Sequence, residues 1–195
     1  MTLLSFLLKN YNRTDVLESP MFYNNDVGIR FEIGSPSEDN LLKYQKEAFE
    51  RAASIFSEVL QPEDDIYFVV DYWYVNHKRV LKNIEKLLYS YNKKFKIERL
   101  YYKDAEMYRY SVSCKIKDVK VSMILRNIIS EEDKRIYAGS FYFINKSNGV
   151  VYHLYDDRGL DLVAPHVTPL QKTYTKYENW ILEYNKDQIK EVFDN

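Results

Sequence analysis

The fold is decided by the stretch from position 66 to position 75, which reads Ile66-Tyr67-Phe68-Val69-Val70-Asp71-Tyr72-Trp73-Tyr74-Val75. It is apolar or aromatic at every position except Asp71. A strand with one face in water alternates apolar and polar residues, whereas a strand covered on both faces is a continuous apolar run. Such a run exposed at a sheet edge would promote aggregation. The stretch therefore predicts an interior strand of a sheet.

The segments on either side predict further strands and helices. Alternating apolar and polar residues predict strands, and apolar residues at helical spacing behind a capping residue predict helices. Asn76 and Asp118 are the expected caps of two helices. The other predicted strands cover 27–33, 95–102, 108–116, 136–144 and 150–155. Four predicted helices begin at Thr2, near Asn40, after Asn76 and after Asp118. Two further helices are predicted over 169–184 and 187–193.

These elements indicate the fold class. The segments 95–102 and 108–116 form a predicted hairpin, and a second hairpin is predicted across the Asn148-Gly149 pair. Two hairpins combined with strands that helices separate are typical of the α+β class. We therefore expect one α+β domain over residues 1–195, with a mixed, antiparallel-rich sheet and helices packed mainly on one face.

The composition excludes several classes of protein. The 28 Lys and Arg nearly balance the 29 Asp and Glu, so the chain lacks the basic surplus of a nucleic-acid-binding protein. No apolar run reaches the roughly 18–20 residues of a membrane span. The single cysteine, Cys114, forbids an internal disulfide, and no Cys/His cluster indicates structural zinc. We expect a cytoplasmic protein without metal or cofactor, whose partner is neither a nucleic acid nor a membrane.

One cluster of ionisable residues follows the last predicted strand, in the stretch Tyr155-Asp156-Asp157-Arg158-Gly159. It is typical of a turn, since Asp starts turns through its side chain and Gly supplies the left-handed backbone, and Arg158 would then form an internal ion pair. The exposed charges of Asp156, Asp157 and Arg158 would equally suit a partner-binding surface. A third interpretation joins Asp156 and Asp157 to His153 and Asp161 as a hydrolase or metal site.

Aromatic residues are a second candidate binding feature, because the chain contains 19 Tyr, 10 Phe and 2 Trp. Tyr72, Trp73 and Tyr74 follow one another on the predicted central strand, and Tyr101 and Tyr102 lie on a predicted neighbour. If helices leave one face of the sheet uncovered, these rings would form a concave surface suited to binding a protein or stacking a base, and the balanced net charge favours a protein. If helices cover both faces, the same rings belong to the core.

Three motifs give the chain a resemblance to a known family. Ile29-Arg30-Phe31-Glu32-Ile33-Gly34, Tyr155-Asp156-Asp157-Arg158-Gly159 and Tyr177-x-x-Trp180-Ile181-x-x-Tyr184 occur in this order. The pattern resembles a family of bacterial proteins classed only as a domain of unknown function. The resemblance implies a bacterial cytoplasmic protein of the conflict-related gene sets, in which many small families are toxin-neutralising immunity proteins.

The functional expectation is a non-enzymatic cytoplasmic binding protein, most simply an immunity protein with a protein partner. Its expected binding residues are Asp156, Asp157, Arg158, Tyr72, Trp73 and Tyr74. The alternative is a hydrolase or nucleotide-processing enzyme centred on His153, Asp156, Asp157 and Asp161. A fold that brings those four side chains into one pocket favours the enzyme, and a fold that disperses them favours the binding protein.

Overall fold

A computed structural model of the chain describes residues 1–73, 76–89, 95–130 and 139–194. The strands are β1 (Gly28–Glu32), β2 (Asp65–Trp73), β3 (Ile97–Tyr102), β4 (Met107–Lys115), β5 (Ser140–Asn145), β6 (Val151–Leu154) and β7 (Gly159–Val163). They form one sheet in the order β1-β7-β6-β5-β2-β4-β3, and every neighbouring pair described is antiparallel. The α+β class is confirmed.

Helices cover the two faces of this sheet unequally. The helices are α1 (Leu3–Tyr11), α2 (Leu41–Val59), α3 (His77–Leu87), α4 (Val121–Ser130), α5 (Gln171–Lys176) and α6 (Lys186–Phe193). The last five contribute buried residues to the larger core on one face. The smaller core on the other face contains α1 and the segment around Leu17 and Met21. The expectation of helices mainly on one face is confirmed, and among the described residues no helix is long and apolar enough to cross a membrane.

The central strand is where the apolar run predicts it. β2 lies between β5 and β4, and its residues from Ile66 to Tyr72 are buried. Tyr74 and Val75 lie outside the described residues. The hairpin of β3 and β4 is also confirmed, as is the helix capped by Asn76, whose side chain accepts a hydrogen bond from the Lys78 backbone. Of the predicted strand 136–144, the part from Ser140 is observed, and 136–138 lie outside the described residues.

Two predicted helices differ from the structure. Asp118 does not cap α4, which begins at Val121; it ends a 3-10 turn, and its carboxylate accepts a hydrogen bond from the Lys115 backbone at 3.1 Å. The predicted helix 169–184 is helical only in α5 and continues as two 3-10 turns. Between those turns Ile181 bridges to Phe31, and the Leu182 backbone donates to Arg30 at 2.9 Å. Pairing with β1 outweighs the helical spacing of this segment.

One strand is absent from the sequence prediction. β7 follows the ionisable cluster and pairs with both β6 and β1. It has only five residues, and its alternation is limited to Leu160, Asp161 and Leu162, which is too short a pattern to predict a strand. Residues 155–158 are therefore the turn of a hairpin between β6 and β7. The side chains in this turn and those in the two strands lie in different environments.

Candidate functional site

The turn between β6 and β7 contains the ion pair expected of the turn interpretation. Asp156 Oδ1 accepts a hydrogen bond from the Arg158 backbone at 2.8 Å, and Oδ2 accepts one from Arg158 Nε at 2.8 Å. The Asp157 backbone carbonyl accepts a hydrogen bond from the Tyr44 hydroxyl at 3.2 Å. The Arg158 side chain is 78% exposed. This turn lies at the surface, and its ion pair organises the local backbone.

Asp161 lies outside that turn, in the centre of β7. It points to the sheet face that carries α1, is 1% exposed, and binds Arg30 through two hydrogen bonds of 2.8 Å. Its Oδ2 also accepts a hydrogen bond from the Phe22 backbone at 3.2 Å. The Asp161 hydrogen bonds raise the pKa of Arg30 above its ordinary value. Both carboxylate oxygens of Asp161 therefore accept hydrogen bonds from protein donors, and these bonds offset the cost of burying its charge.

His153 is the cross-strand neighbour of Asp161 on the same face. Its ring is buried, lies 4.3 Å from the stacked ring of Tyr142, and places Nδ1 3.0 Å from the Phe141 carbonyl. A carbonyl only accepts hydrogen bonds, so Nδ1 is the protonated nitrogen. Burial lowers the pKa of His153, although the Phe141 carbonyl and two carboxylates oppose the shift. The imidazole is therefore neutral near pH 7.

A pH dependence of stability follows from this burial. The unfolded chain gains a proton on His153 as the pH falls through about 6.5, whereas the folded chain gains it only at lower pH. We expect the free energy of unfolding to fall as the pH is lowered from 6.5, by about 1.4 kcal/mol for each pH unit between the two pKa values. Urea unfolding across this range measures it, and His153→Gln is the control. An equal slope in parent and variant would contradict the assignment.

The four residues of the enzyme alternative do not share one pocket. His153 and Asp161 are cross-strand neighbours on the sheet face that carries α1, whereas Asp156 and Asp157 lie in the surface turn between β6 and β7. Within the described ranges no group of three or more His, Cys, Asp or Glu side chains is arranged to hold a metal ion. The spacing of the three aspartates therefore does not create a shared ligand set.

A cleft of about 740 Å³ opens on the α1 face, at the end of the sheet where β2 and β3 finish. We call it the Trp73 cleft. It is lined by residues 17–19, by Asp71 and Trp73 of β2, by residues 101–105, by Met107 and Arg109 of β4, and by Ser140 and Tyr142 of β5. Trp73 is 45% exposed, so a large aromatic ring is available at the wall of the cleft.

The floor of the Trp73 cleft is a buried ion pair. Arg109 Nε and Nη2 donate to the two carboxylate oxygens of Asp71 at 2.8 and 2.6 Å, and each side chain is 2% exposed. Arg109 also donates to the Tyr102 hydroxyl at 3.4 Å and lies 4.8 Å from the centre of that ring. The aromatic ring of Tyr142 lies 5.9 Å away. These contacts hold the guanidinium in one orientation.

In the floor of the cleft, burial and ion pairing shift the pKa values of Asp71 and Arg109 in opposite directions. Burial raises the pKa of Asp71, and the hydrogen bonds and charge of Arg109 oppose that shift. Burial alone would lower the pKa of Arg109, but the Asp71 carboxylate outweighs it and raises that pKa above its ordinary value. Burial also raises the pKa of Tyr142, which keeps its phenol protonated. The floor is polar, and its two charges cancel.

Three of the aromatic residues that the sequence suggests for binding, Trp73, Tyr101 and Tyr102, line the cleft, and Arg109 is a cleft residue that the sequence pattern does not indicate. Trp73 was an expected binding residue, whereas Tyr72 points to the opposite face and is buried in the larger core, and Tyr74 lies outside the described residues. Arg109 was not singled out. The signal that could have found it is the lone Asp71 in the apolar run, which requires a cationic neighbour on an adjacent strand.

Comparison with known proteins identifies a matching family and a similar bacterial protein. Residues 3–185 match the family described as a domain of unknown function, DUF3885. The chain is also similar to the uncharacterized protein YnaE of Bacillus subtilis (strain 168), with 25% identity over 216 residues that cover 94% of this chain and 99% of the relative. No solved structure matches the chain.

Proposed function

Because the chain belongs to the DUF3885 family of bacterial proteins, whose activity the family description leaves open, we propose its function from the Trp73 cleft. The chain is a non-enzymatic binding protein that holds a protein partner in this cleft. In its simplest form it is a cytoplasmic immunity protein that neutralises a toxin.

The observation that carries this proposal is the exposed ring of Trp73 beside a rigid, buried floor. Trp, Tyr and Arg are the residues that contribute most to binding at protein interfaces, especially in desolvated pockets. The Trp73 cleft combines an available Trp with tyrosines and a fixed Arg109. A partner side chain inserted here would bury apolar surface on both molecules without rearranging the floor.

The charges of the cleft support a protein as the partner. Glu18, Asp71 and Asp104 contribute three negative charges to the lining, and Lys103 and Arg109 contribute two positive charges. A site for nucleic-acid phosphates needs an excess of positive charge. This nearly balanced lining suits a mixed polar and apolar protein surface better.

The geometry weighs against the hydrolase alternative. A general base or nucleophile must converge with other groups on one reacting atom. His153, Asp156, Asp157 and Asp161 point to different environments, and the oxygens of Asp161 are bound to Arg30 and to the Phe22 backbone. The buried pair on the cleft floor likewise uses the oxygens of Asp71 to hold Arg109.

Replacing Trp73 tests this function. We expect Trp73→Ala to weaken partner binding by at least about 2 kcal/mol, which is about 30-fold in affinity, because it removes the large exposed anchor. A tagged parent chain is used to isolate the partner from the native host, and titration calorimetry compares the variants. Tyr184→Ala is the control, since Tyr184 is 86% exposed on the C-terminal segment near β1. Equal affinity of both variants would contradict the assignment of the cleft.

A growth assay separates an immunity protein from other binding proteins. The isolated partner should stop bacterial growth when it is expressed alone, and co-expression of the parent chain should restore growth. Trp73→Ala should restore growth less well, while Tyr184→Ala should match the parent. A partner that is harmless alone would refute the immunity role and leave the binding role standing.

A further inference from the structure

The two edges of the sheet differ. The edge formed by β1 is closed by the C-terminal segment, in which Ile181 bridges to Phe31 and the Leu182 backbone donates to Arg30. At the other edge, the described residues pair β3 with β4 alone. Among residues 1–73, 76–89, 95–130 and 139–194, no strand pairs with the outer backbone groups of β3. Exposed sheet edges of this kind bind partners by adding a further strand.

Two hollows lie on the same face at opposite ends of β3. The Trp73 cleft adjoins its final residues, Tyr101 and Tyr102. A second hollow of about 500 Å³ adjoins its beginning and is lined by the N-terminal end of α1 and by Tyr67, Lys96, Glu98, Ser111 and Ser113. We call this the Ser111 hollow. Both contain residues of the α1 side of the sheet, so β3 connects them along one face.

We propose that a second copy of this chain binds at this edge, with the two β3 strands antiparallel about a two-fold axis at Leu100. A two-fold axis perpendicular to the sheet keeps each face on its own side, so directly opposed residues must have the same orientation. In this register Leu100 opposes Leu100, Arg99 opposes Tyr101, and Glu98 opposes Tyr102. Leu100 thereby packs against an apolar partner, and Arg99 places a cation beside the aromatic ring of Tyr101. Glu98 opposes the uncharged Tyr102.

Neighbouring registers bring like charges together. An axis at Arg99 opposes Arg99 to itself, and an axis at Glu98 opposes Glu98 to itself. An axis at Tyr101 opposes Arg99 to Lys103 and Glu98 to Asp104. Like charges directly opposed in a sheet are destabilising, and the Leu100 register avoids all of them.

The pairing would extend the candidate site. Because the strands are antiparallel, the end of β3 in one copy lies beside the beginning of β3 in the other. The Trp73 cleft of each copy would therefore adjoin the Ser111 hollow of its neighbour on the same face. The dimer would present two composite grooves, each built from both chains, and this arrangement is independent of which partner the cleft binds.

Measurement of mass in solution tests the pairing. The parent chain should have twice its chain mass of 23.4 kDa at micromolar concentration in sedimentation equilibrium. Leu100→Lys should shift the mass to that of one chain, because it opposes two lysines on the axis. Leu81→Lys, at an exposed position of α3, should leave the dimer intact. Folding of each variant is checked by circular dichroism.

Cysteine cross-linking tests the register without destabilising the dimer. Leu100→Cys should cross-link rapidly to its copy under mild oxidation, since opposed residues lie about 5 Å apart between Cβ atoms. Ile97→Cys should not, because the two copies of Ile97 would be six residue steps apart, roughly 20 Å. The natural Cys114 is buried and pairs with β2, so it serves as the background.

Two results would overturn the proposal. One is a parent chain that remains monomeric together with Leu100→Cys that cross-links no faster than Ile97→Cys. The other is a monomeric chain whose amides from 97 to 102 exchange more slowly only when the isolated protein partner is added, which would assign this edge to that partner.

Discussion

Arg109→Met is expected to lower the free energy of unfolding by about 3–5 kcal/mol, because it leaves the Asp71 carboxylate buried without its partner. Both hydrogen bonds to Asp71 are lost, and the arginine chain that packs against Tyr102 is replaced by an apolar chain of similar length. The Asp71 carboxylate cannot reach water, since its residue is 1% exposed. Urea unfolding at pH 7 measures the loss.

The double variant is the control for this first prediction. Asp71→Leu combined with Arg109→Met removes both charges, and the free energy of unfolding should return most of the way to the parent value or exceed it. In the single variant the deficit should shrink toward pH 4. Burial already raises the pKa of Asp71, and without Arg109 the folded chain gains a proton at higher pH than the unfolded chain. A double variant no more stable than Arg109→Met would show that the cost arises from packing.

Asp161→Ala is expected to lower the free energy of unfolding by about 3 kcal/mol, at the lower end of the cost of breaking a buried pair. It removes both hydrogen bonds to Arg30 and the acceptor of the Phe22 backbone. The Arg30 side chain is 14% exposed and contacts the Tyr23 ring, so it retains some water and an aromatic partner. The same urea measurement at pH 7 gives the value.

Arg158→Ala is the matched control from the same hairpin. It removes an ion pair of similar geometry, but Arg158 is largely exposed, and such pairs contribute under about 1 kcal/mol. The ratio of the two effects therefore reports burial, because both variants break an Arg–Asp pair of similar geometry. Equal losses for Asp161→Ala and Arg158→Ala would mean that the turn is the organising element of the hairpin.

Stability and function should separate between these sites. Asp161→Ala should lower stability and reduce binding only as far as it unfolds the chain, because Asp161 does not line the Trp73 cleft. Arg109→Met should lower both stability and binding, because Arg109 lies in the lining of that cleft. Trp73→Ala should instead reduce binding more than stability, because the ring is partly exposed and contributes less to the core. This contrast would distinguish residues that stabilise the sheet from a residue whose proposed role is partner binding.

Local sequence patterns are enough to predict several strands and helices. The continuous apolar run predicts β2 as an interior strand because both of its faces must be covered. Alternation predicts β4, and the Asn side chain at position 76 predicts the start of α3 because it accepts a hydrogen bond from the helix backbone. The aromatic run around position 73 also makes Trp73 a candidate binding residue, and its partial exposure is consistent with that prediction.

Which side chains come into contact depends on the complete fold. Asp156 and Asp161 are five residues apart, yet one is in a surface turn and the other is buried against Arg30, because a hairpin reverses between them. The segment 169–184 is broken because the edge of β1 offers it backbone hydrogen bonds. The Trp73 cleft joins residues from position 17 to position 142, and no local pattern encodes such contacts because they depend on strand order and register.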